Sequence, residues 1–171
     1  MWAWLMAQGY ENNPDYKGCK LVLPASDRQI QDALDQARVT ERDSYRIADL
    51  GDCGYVLKKY LNLSDCKIEE INYIARHMQQ ITEEEDHIYD EMISLKITDE
   101  VKTLPVGVFI DAFANMNKME FHPGVYDDKS LGEIALEAQM MPWMERKDRR
   151  MYKEAGEWIL QPGWILLHQR V

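Results

Sequence analysis

The first third of the chain combines short apolar runs with one helical period, a pattern that predicts strands packed by a helix. Residues 2–7, 20–24 and 45–50 are short apolar runs, and we predict a strand in each. Residues 26–38 should form a helix, because Ser26 and Gln29 have the spacing of a capping box. Its apolar positions are Ile30, Leu34 and Ala37. Strands with one packed helix indicate a small α+β unit.

After residue 54 the apolar positions change to a helical period. Residues 55–61 look helical, and a longer helix should follow with Ser64 or Asp65 as its N-cap. The apolar face of this longer helix is formed by Ile68, Ile71, Ile74, Ala75 and Met78.

Thr82 and Glu85 form another capping box, which predicts the start of the next helix. Its buried positions should be Ile88, Met92 and Leu95. Residues 105–117 predict a further helix with a proline near its first turn. The middle of the chain is therefore predicted to be a small helical cluster.

The last part of the chain predicts an extended segment at 120–128, then helices and two final strands. Ser130 and Glu133 form a third capping box, and residues 143–155 should form an unusually basic helix. The tail, residues 157–171, reads as two strands that meet at a Pro-Gly pair. We expect an α+β protein with three domains: a small α+β domain, an acidic helical domain and a C-terminal α+β domain. Their predicted bounds are 1–62, 63–104 and 105–171.

Charge is distributed very unevenly along the chain. The 171 residues include 30 acidic and 20 basic residues, a net charge of −10. Residues 1–68 hold 10 acids and 9 bases, residues 69–137 hold 16 acids and 5 bases, and residues 138–171 hold 4 acids and 6 bases. Such a chain should repel nucleic acid and anionic membranes and attract basic partners.

Cysteine spacing and the N-terminal residues bear on where the protein works. The three cysteines show no CxxC pair, so we expect reduced thiols rather than a disulfide framework or a zinc site. The apolar start has no basic region before it and no cleavage pattern, and no stretch reaches the roughly 20 apolar residues that span a bilayer. We therefore expect a cytoplasmic protein that does not enter a membrane.

The acidic residues of the middle segment are the main candidates for a functional surface. Four of them are consecutive in ITEEEDHIYDE, where a helix N-terminus by itself would favour two or three. An ordinary solvent-exposed helix usually carries both acidic and basic side chains. A surface with a negative functional charge is therefore the alternative to an ordinary solvated helix face. The sixteen candidates are Glu69, Glu70, Glu83, Glu84, Glu85, Asp86, Asp90, Glu91, Asp99, Glu100, Asp111, Glu120, Asp127, Asp128, Glu133 and Glu137.

No catalytic motif stands out, and the chain lacks phosphate-loop, nucleophile-elbow and zinc-helix patterns. His77 and His87, with Glu83 or Glu84, could collect a metal, but their spacing does not force the ligands to converge, and surface histidines are the favoured interpretation. Asp49 and Asp52 lie beside glycines and are read as turn residues. Cys53 has no neighbouring base to activate it. We expect no catalysis, no metal and no cofactor.

Three segments, in order, resemble the ArdA antirestriction family: PASDRQIQDALDQARVTERDSYRIADL, IEEINYIARHM and MEFHPGVYDDKSLGEIALE. The matching positions are Pro24 and residues 45–49, 70–72, 121–124 and 131–132. The resemblance covers roughly residues 21–137. It depends on the three segments occurring in the same order as in the family, rather than on any single motif. Residues 9–18 match poorly, and residues 145–153 are basic where the family pattern is acidic.

The resemblance implies an elongated chain of small α/β and helical subdomains that imitates DNA. Members of the family form acidic homodimers that occupy the DNA-binding groove of type I restriction-modification enzymes, without catalysis and without binding nucleic acid themselves. They are carried by mobile genetic elements and serve in evasion of host defence. An apolar patch at Met140, Met141, Pro142 and Trp143 is the candidate dimer interface.

Three alternatives remain open. The same negative surface would suit a CRISPR effector, whose nucleic-acid channel is basic. A metal-dependent cytosolic enzyme would use the two histidines and the acidic run. A plain acidic adaptor would bind a basic protein without imitating DNA.

Overall fold

The structure, a computed structural model, describes residues 1–10, 13, 15–40, 44–125, 158–161 and 163–168. Its contacts divide the chain into two compact units, Met1–Ala114 and Asn115–Val171. Helices and antiparallel sheets both occur, so the predicted mixed α+β class is confirmed. The three-domain division stays a prediction, and both of its boundaries fall inside the first unit.

The N-terminal part is a three-stranded antiparallel sheet with one helix against it. The strands are β1 (Trp2–Ala7), β2 (Cys19–Val22) and β3 (Tyr45–Gly51), in the order β2-β1-β3. Helix α1 (Asp27–Gln36) follows β2 and contacts both β2 and β1. The predicted strands and helix are therefore present, each with ends shifted by a few residues at most.

The core of this part follows from alternation in β1. Every second residue of β1 is buried, and α1 supplies the facing side chains. The buried residues are Ala3, Leu5, Ala7, Ile30, Ala33 and Leu34. The Tyr16 hydroxyl fastens the two elements together: it accepts a hydrogen bond from the Ala7 N–H (2.6 Å) and donates one to the Ala37 carbonyl (2.6 Å).

Two helices and a short turn lead into the helical cluster. Helix α2 (Tyr55–Tyr60) is followed by a 3₁₀ turn (Leu63–Asp65) and by α3 (Ile68–Met78). The prediction of Ser64 or Asp65 as the N-cap of α3 is wrong, because these residues are used in the 3₁₀ turn and Lys67 is the N-cap. The Glu70 carboxylate accepts a hydrogen bond from the Lys67 N–H (2.8 Å) and completes the helix start.

The cluster is completed by α4 (Glu83–Ser94) and α5 (Val106–Met116). The capping box of Thr82 and Glu85 is confirmed at the start of α4. The predicted buried stripe of α4 is only partly correct: Ile88 is buried, but Met92 and Leu95 are half-buried. Tyr89 and Ile93 fill the core instead, because the Tyr89 ring stacks on Phe113 of α5 with centroids 4.3 Å apart.

The helical cluster is bonded to the N-terminal part of the first unit. Asn72 of α3 is buried and hydrogen-bonded to the backbone of Ala25, ahead of α1. Leu104 forms a bridge next to α2, donating its N–H to the Tyr60 carbonyl (2.7 Å) and accepting from the Asn62 N–H (2.9 Å). These bonds hold the acidic helices on a common core with the sheet.

The second unit contains an antiparallel sheet in the order β4-β6-β5. Its strands are β4 (Met119–Val125), β5 (Trp158–Gln161) and β6 (Gly163–His168), so the predicted pair of final strands is confirmed. The β4–β6 register shifts next to Pro123, where Gly124 has a φ of +83° that suits glycine.

Some predictions fall on residues outside those described. They are the capping box of Ser130 and Glu133 with its helix, and the basic helix at 143–155. Among the described residues, no helix is both long enough and apolar enough to cross a membrane.

Candidate functional site

The first turn of α4 presents a group of exposed carboxylates. Glu83, Glu84 and Asp86 are exposed, and no basic residue occurs within the helix apart from His87. Glu85 has a separate role, because its carboxylate accepts a hydrogen bond from the Thr82 N–H (2.8 Å). The N-terminal dipole of the helix favours negative charge at these positions, so the helix can hold several acids here without losing its start.

Helical spacing arranges the acids of α4 in two rows. Glu83, Asp86 and Asp90 follow one another at i, i+3 and i+7, and Glu84 and Glu91 at i and i+7. Neighbours at i, i+3 and i, i+4 have Cβ atoms about 5–6 Å apart. A DNA strand carries one phosphate per about 3.4 Å of helix axis, so the two rows of α4 form a dense line of negative charge without reproducing the phosphate spacing.

Asp90 and Glu91 differ from the acids of the first turn because they are half-buried. Burial, with the neighbouring charges of Asp86 and Glu91, raises the pKa of Asp90 to about 6, and His87 opposes this shift. Burial also raises the pKa of Glu91, again opposed by His87. Among the described carboxylates, Asp90 is the one whose pKa is raised furthest.

The start of α3 adds two acids with different roles. Glu69 is exposed, whereas Glu70 is half-buried and bonded to the backbone N–H of Lys67. Glu69 is thus a surface charge, whereas Glu70 caps the helix. The number of acids in the sequence could not distinguish these two roles.

The connection between α4 and α5 contributes Asp99 and Glu100, and α5 contributes Asp111. All three are exposed. Lys102 lies 4.0 Å from Asp99, measured from Nζ to Oδ1, in an exposed ion pair. Exposed pairs of this kind contribute about 0–1 kcal/mol, so Lys102 neutralises little of the surrounding charge.

We call the carboxylates of residues 69–111 the acidic surface. They are opposed in that range by three basic residues: Arg76, Lys96 and Lys102. Arg76 is also used elsewhere, because it donates a hydrogen bond to the Ala25 carbonyl (3.1 Å). The members of the acidic surface are Glu69, Glu70, Glu83, Glu84, Glu85, Asp86, Asp90, Glu91, Asp99, Glu100 and Asp111.

The remaining predicted residues are not brought into this surface by what the structure describes. Glu120 lies in β4, in the second unit. The other acids and the predicted dimer patch lie outside the described residues: Asp127, Asp128, Glu133, Glu137, Met140, Met141, Pro142 and Trp143.

The two helical histidines are placed differently from each other. His87 is exposed, but His77 is half-buried between rings, 4.0 Å from the Tyr73 centroid and 5.3 Å from that of Phe113. The Nδ1 atom of His77 lies 3.0 Å from the Tyr73 carbonyl oxygen. Within the described part of the chain, no three His, Cys, Asp or Glu side chains converge as metal ligands would.

The thiols have the environments of unreactive cysteines. All three are free, and burial raises the pKa of Cys19 and of Cys53. Burial raises the pKa of Cys66 to about 11, and its Sγ donates to the Asn62 carbonyl (2.9 Å). A thiol with a raised pKa is a poor nucleophile at neutral pH, because little thiolate is present.

The prediction that Asp49 and Asp52 are both turn residues is only partly correct, because Asp49 lies within β3, opposite Trp4 of β1, and only Asp52 follows the strand end. Asp49 accepts a hydrogen bond from the Leu50 N–H (2.8 Å), and Asp52 has a left-handed backbone with a φ of 51°. Aspartate tolerates this conformation better than most residues. An open polar depression of about 480 Å³ lies nearby, lined by Gln8, Arg46, Ile47, Ala48, Leu63 and Ser64.

A basic and aromatic patch on α2 was missed by the sequence reasoning. Tyr55 is 67% exposed, and the Nζ atom of Lys59 lies 4.9 Å from the Tyr55 ring centroid and 4.8 Å from that of Tyr60. Lys58, beside it, is also exposed. The i, i+4 spacing of Tyr55 and Lys59 is the sequence signal that could have indicated it.

The chain was compared with protein-family models, with curated proteins and with solved structures, and none of the three comparisons found a match.

Proposed function

We propose that this chain is a DNA-mimic antirestriction protein of the ArdA type, which binds and blocks the DNA-binding groove of type I restriction-modification enzymes. It acts without catalysis. The observation that carries the proposal is the acidic surface, in which eleven carboxylates are accompanied by three basic residues. Nine of the carboxylates lie on α3, α4 and α5, and the other two lie in the connection between α4 and α5. The ordered resemblance of residues 21–137 to the family supports the same function.

Rigidity is the property that makes the acidic surface suitable for imitation of DNA. Helices α3 and α4, which carry most of it, start with hydrogen-bonded caps, at Lys67 with Glu70 and at Thr82 with Glu85. Their inner faces are held by fully buried side chains, including Ile71, Tyr89 and Phe109. Charges fixed in position lose little conformational entropy on binding, whereas acids on a flexible tail would lose more.

Binding through this surface should be a sum of many weak contacts. DNA itself binds such grooves largely through phosphate contacts that release counterions, and carboxylates on a fixed lattice can substitute for them. A metal-dependent enzyme would instead depend on a few converging ligands, so the loss of one of them would abolish activity. If the protein is a DNA mimic, His77→Ala, His87→Ala and Cys53→Ala should each preserve inhibition, provided that the variant folds.

Competition for DNA is the experiment that tests this function. A purified type I enzyme is bound to a labelled duplex that carries its recognition site, and the chain is then added. The proposal predicts that the duplex is displaced and that excess unlabelled duplex reverses the inhibition. A stable complex of enzyme, duplex and chain would contradict it and would indicate an adaptor instead.

The same design distinguishes the target. Replacing the type I enzyme with a CRISPR effector and its target duplex tests whether the acidic surface blocks that channel. Displacement from the effector and not from the type I enzyme would overturn the proposed target and leave DNA mimicry in place.

The proposal includes a homodimer, as in the family that the chain resembles. Light scattering at micromolar concentration should then give about twice the chain mass of 20.1 kDa. A constant monomer mass over that range would reject this part of the proposal.

A further inference from the structure

The outward face of α2 differs in chemistry from the rest of the described middle of the chain. It presents Tyr55, Lys58 and Lys59, and it contains no acid. Tyr55 is the most exposed of the large hydrophobic side chains in the described residues. Lys59 lies over its ring, so an apolar surface and a positive charge occupy the same place. We call these three residues the α2 patch.

Local structure accounts for only part of the α2 patch. Lysines in the last turn of a helix are favoured by the helix dipole, which explains Lys58 and Lys59. It does not explain an aromatic ring two-thirds exposed one turn before them. An exposed tyrosine is typical of surfaces that bind a partner, because tyrosine is enriched at interfaces. Lysine is depleted at interfaces, so the tyrosine ring and not the lysines marks this surface as a candidate.

Charge complementarity identifies the partner that the patch fits best. Nucleic acid is disfavoured, since the chain has a net charge of −10 and α2 is in contact with the acidic helix α4. A carboxylate-rich protein segment is favoured. The first turn of α4 is such a segment, with Glu83, Glu84 and Asp86 exposed.

We propose that the α2 patch is a docking surface for the first turn of α4 in a second copy of this chain. Because α2 and α4 are neighbours in one unit, a two-fold arrangement forms the contact twice, α2 of each copy against α4 of the other. This contact is separate from the predicted interface at residues 140–143, and it does not depend on the proposed function. A basic target that binds the acidic surface would compete with it.

Opposite charge reversals test the pairing. One variant carries Lys58→Glu and Lys59→Glu, and the other carries Glu83→Lys and Glu84→Lys. Each alone should self-associate at least about tenfold more weakly than the parent, because positions 58 and 59 of α2 and positions 83 and 84 of α4 then carry like charges. Mixed together they should associate with each other, since both contacts of the two-fold arrangement regain opposite charges. Sedimentation velocity over the micromolar range measures all three cases.

A control variant separates this pairing from general attraction between oppositely charged proteins. Lys17→Glu with Lys20→Glu makes the same change in net charge at exposed positions outside α2. Mixed with the Glu83→Lys, Glu84→Lys variant, it should associate more weakly than the first mixture does, because only one of the two contacts in each mixed pair then carries opposite charges. Circular dichroism establishes that each variant is folded, and Lys58→Gln with Lys59→Gln replaces the reversal if that variant is not. Equal association in the control mixture, or a parent whose self-association none of these reversals weakens, would overturn the proposal.

Discussion

Two hydrogen bonds join Asn72 of α3 to the backbone of Ala25, which lies between β2 and α1. The Asn72 Oδ1 atom accepts from the Ala25 N–H (2.7 Å), and its Nδ2 donates to the Ala25 carbonyl (2.8 Å). Asn72 is the buried polar side chain of this region, 4% exposed. The Asn72 amide thus supplies a partner for both backbone groups of Ala25. Arg76 and the bond from the Ile68 N–H to the Tyr45 hydroxyl of β3 (2.8 Å) add further links between α3 and the sheet part of the first unit.

Asn72→Ala should lower the free energy of unfolding by about 2–3 kcal/mol, because it removes both bonds and leaves the Ala25 N–H buried without an acceptor. Urea denaturation followed by circular dichroism measures the change. Arg76→Ala is the matched control: it removes a second donor from the same carbonyl and should cost only about 0.5–1 kcal/mol. Equal losses in the two variants would show that Asn72 has no special role.

Tyr89→Phe should leave stability unchanged or raise it slightly. The Tyr89 hydroxyl is buried and has no hydrogen-bond partner among the described residues. Its removal therefore eliminates a desolvated polar group, and the ring stack with Phe113 is retained. Tyr16→Phe is the contrasting variant, since that hydroxyl makes two hydrogen bonds of 2.6 Å. It should lose about 1–3 kcal/mol. A loss of similar size in Tyr89→Phe, measured by the same denaturation, would contradict this interpretation.

Ionisation of Asp90 should make the fold less stable as pH rises. Its pKa is raised to about 6 in the folded protein, from an ordinary value of 3.8. The contribution that favours folding is fully present below pH 3.8 and is lost as pH rises through about 6. Asp90→Asn should therefore be more stable than the parent at pH 7, by about 1 kcal/mol once solvent screening of this half-buried group is allowed for.

Thermal unfolding at pH 4 and at pH 7 measures this effect. The gain from Asp90→Asn should be present at pH 7 and much smaller at pH 4. Glu84→Gln, which removes an exposed charge from the same helix, should give a smaller gain at pH 7. An Asp90→Asn variant that is less stable than the parent at pH 7 would show that the ionised carboxylate has a favourable partner.

Local signals predicted the elements well, because they depend on residues close in sequence. The capping boxes at Ser26 with Gln29 and at Thr82 with Glu85 each involve a spacing of three residues, and both are present. Long-range packing could not be predicted in the same way. The choice of Tyr89 for the core of α4 depends on Phe113, and the role of Asn72 depends on Ala25, 47 residues away.

The sequence predicted which acidic residues form the acidic surface, but it did not predict the structural role of each one. The count of acids indicated where the charge lies, and the exposed positions of Glu83 and Glu84 agree with it. It could not separate Glu70 and Glu85, which bond to backbone N–H groups, from the freely exposed carboxylates. It also could not identify Asp90 as half-buried, because burial depends on how α4 packs.

Neutralising the α4 carboxylates tests the central claim most directly. The variant carries amide replacements at Glu83, Glu84, Glu85, Asp86, Asp90 and Glu91, and Glu85→Gln retains an oxygen for the cap. A control variant carries the same number of Asp→Asn replacements at exposed positions outside the acidic surface. Those positions are Asp15, Asp27, Asp32, Asp35, Asp52 and Asp65.

The concentration of each variant that displaces half of the duplex from a type I enzyme is the quantity to measure. Glu84→Lys alone should change it by less than about threefold, since exposed ion pairs contribute only about 0–1 kcal/mol each. The sixfold α4 variant should require at least about tenfold more protein while it remains folded, and the control variant should act like the parent. An α4 variant that displaces the duplex as well as the parent does would contradict DNA mimicry by this surface.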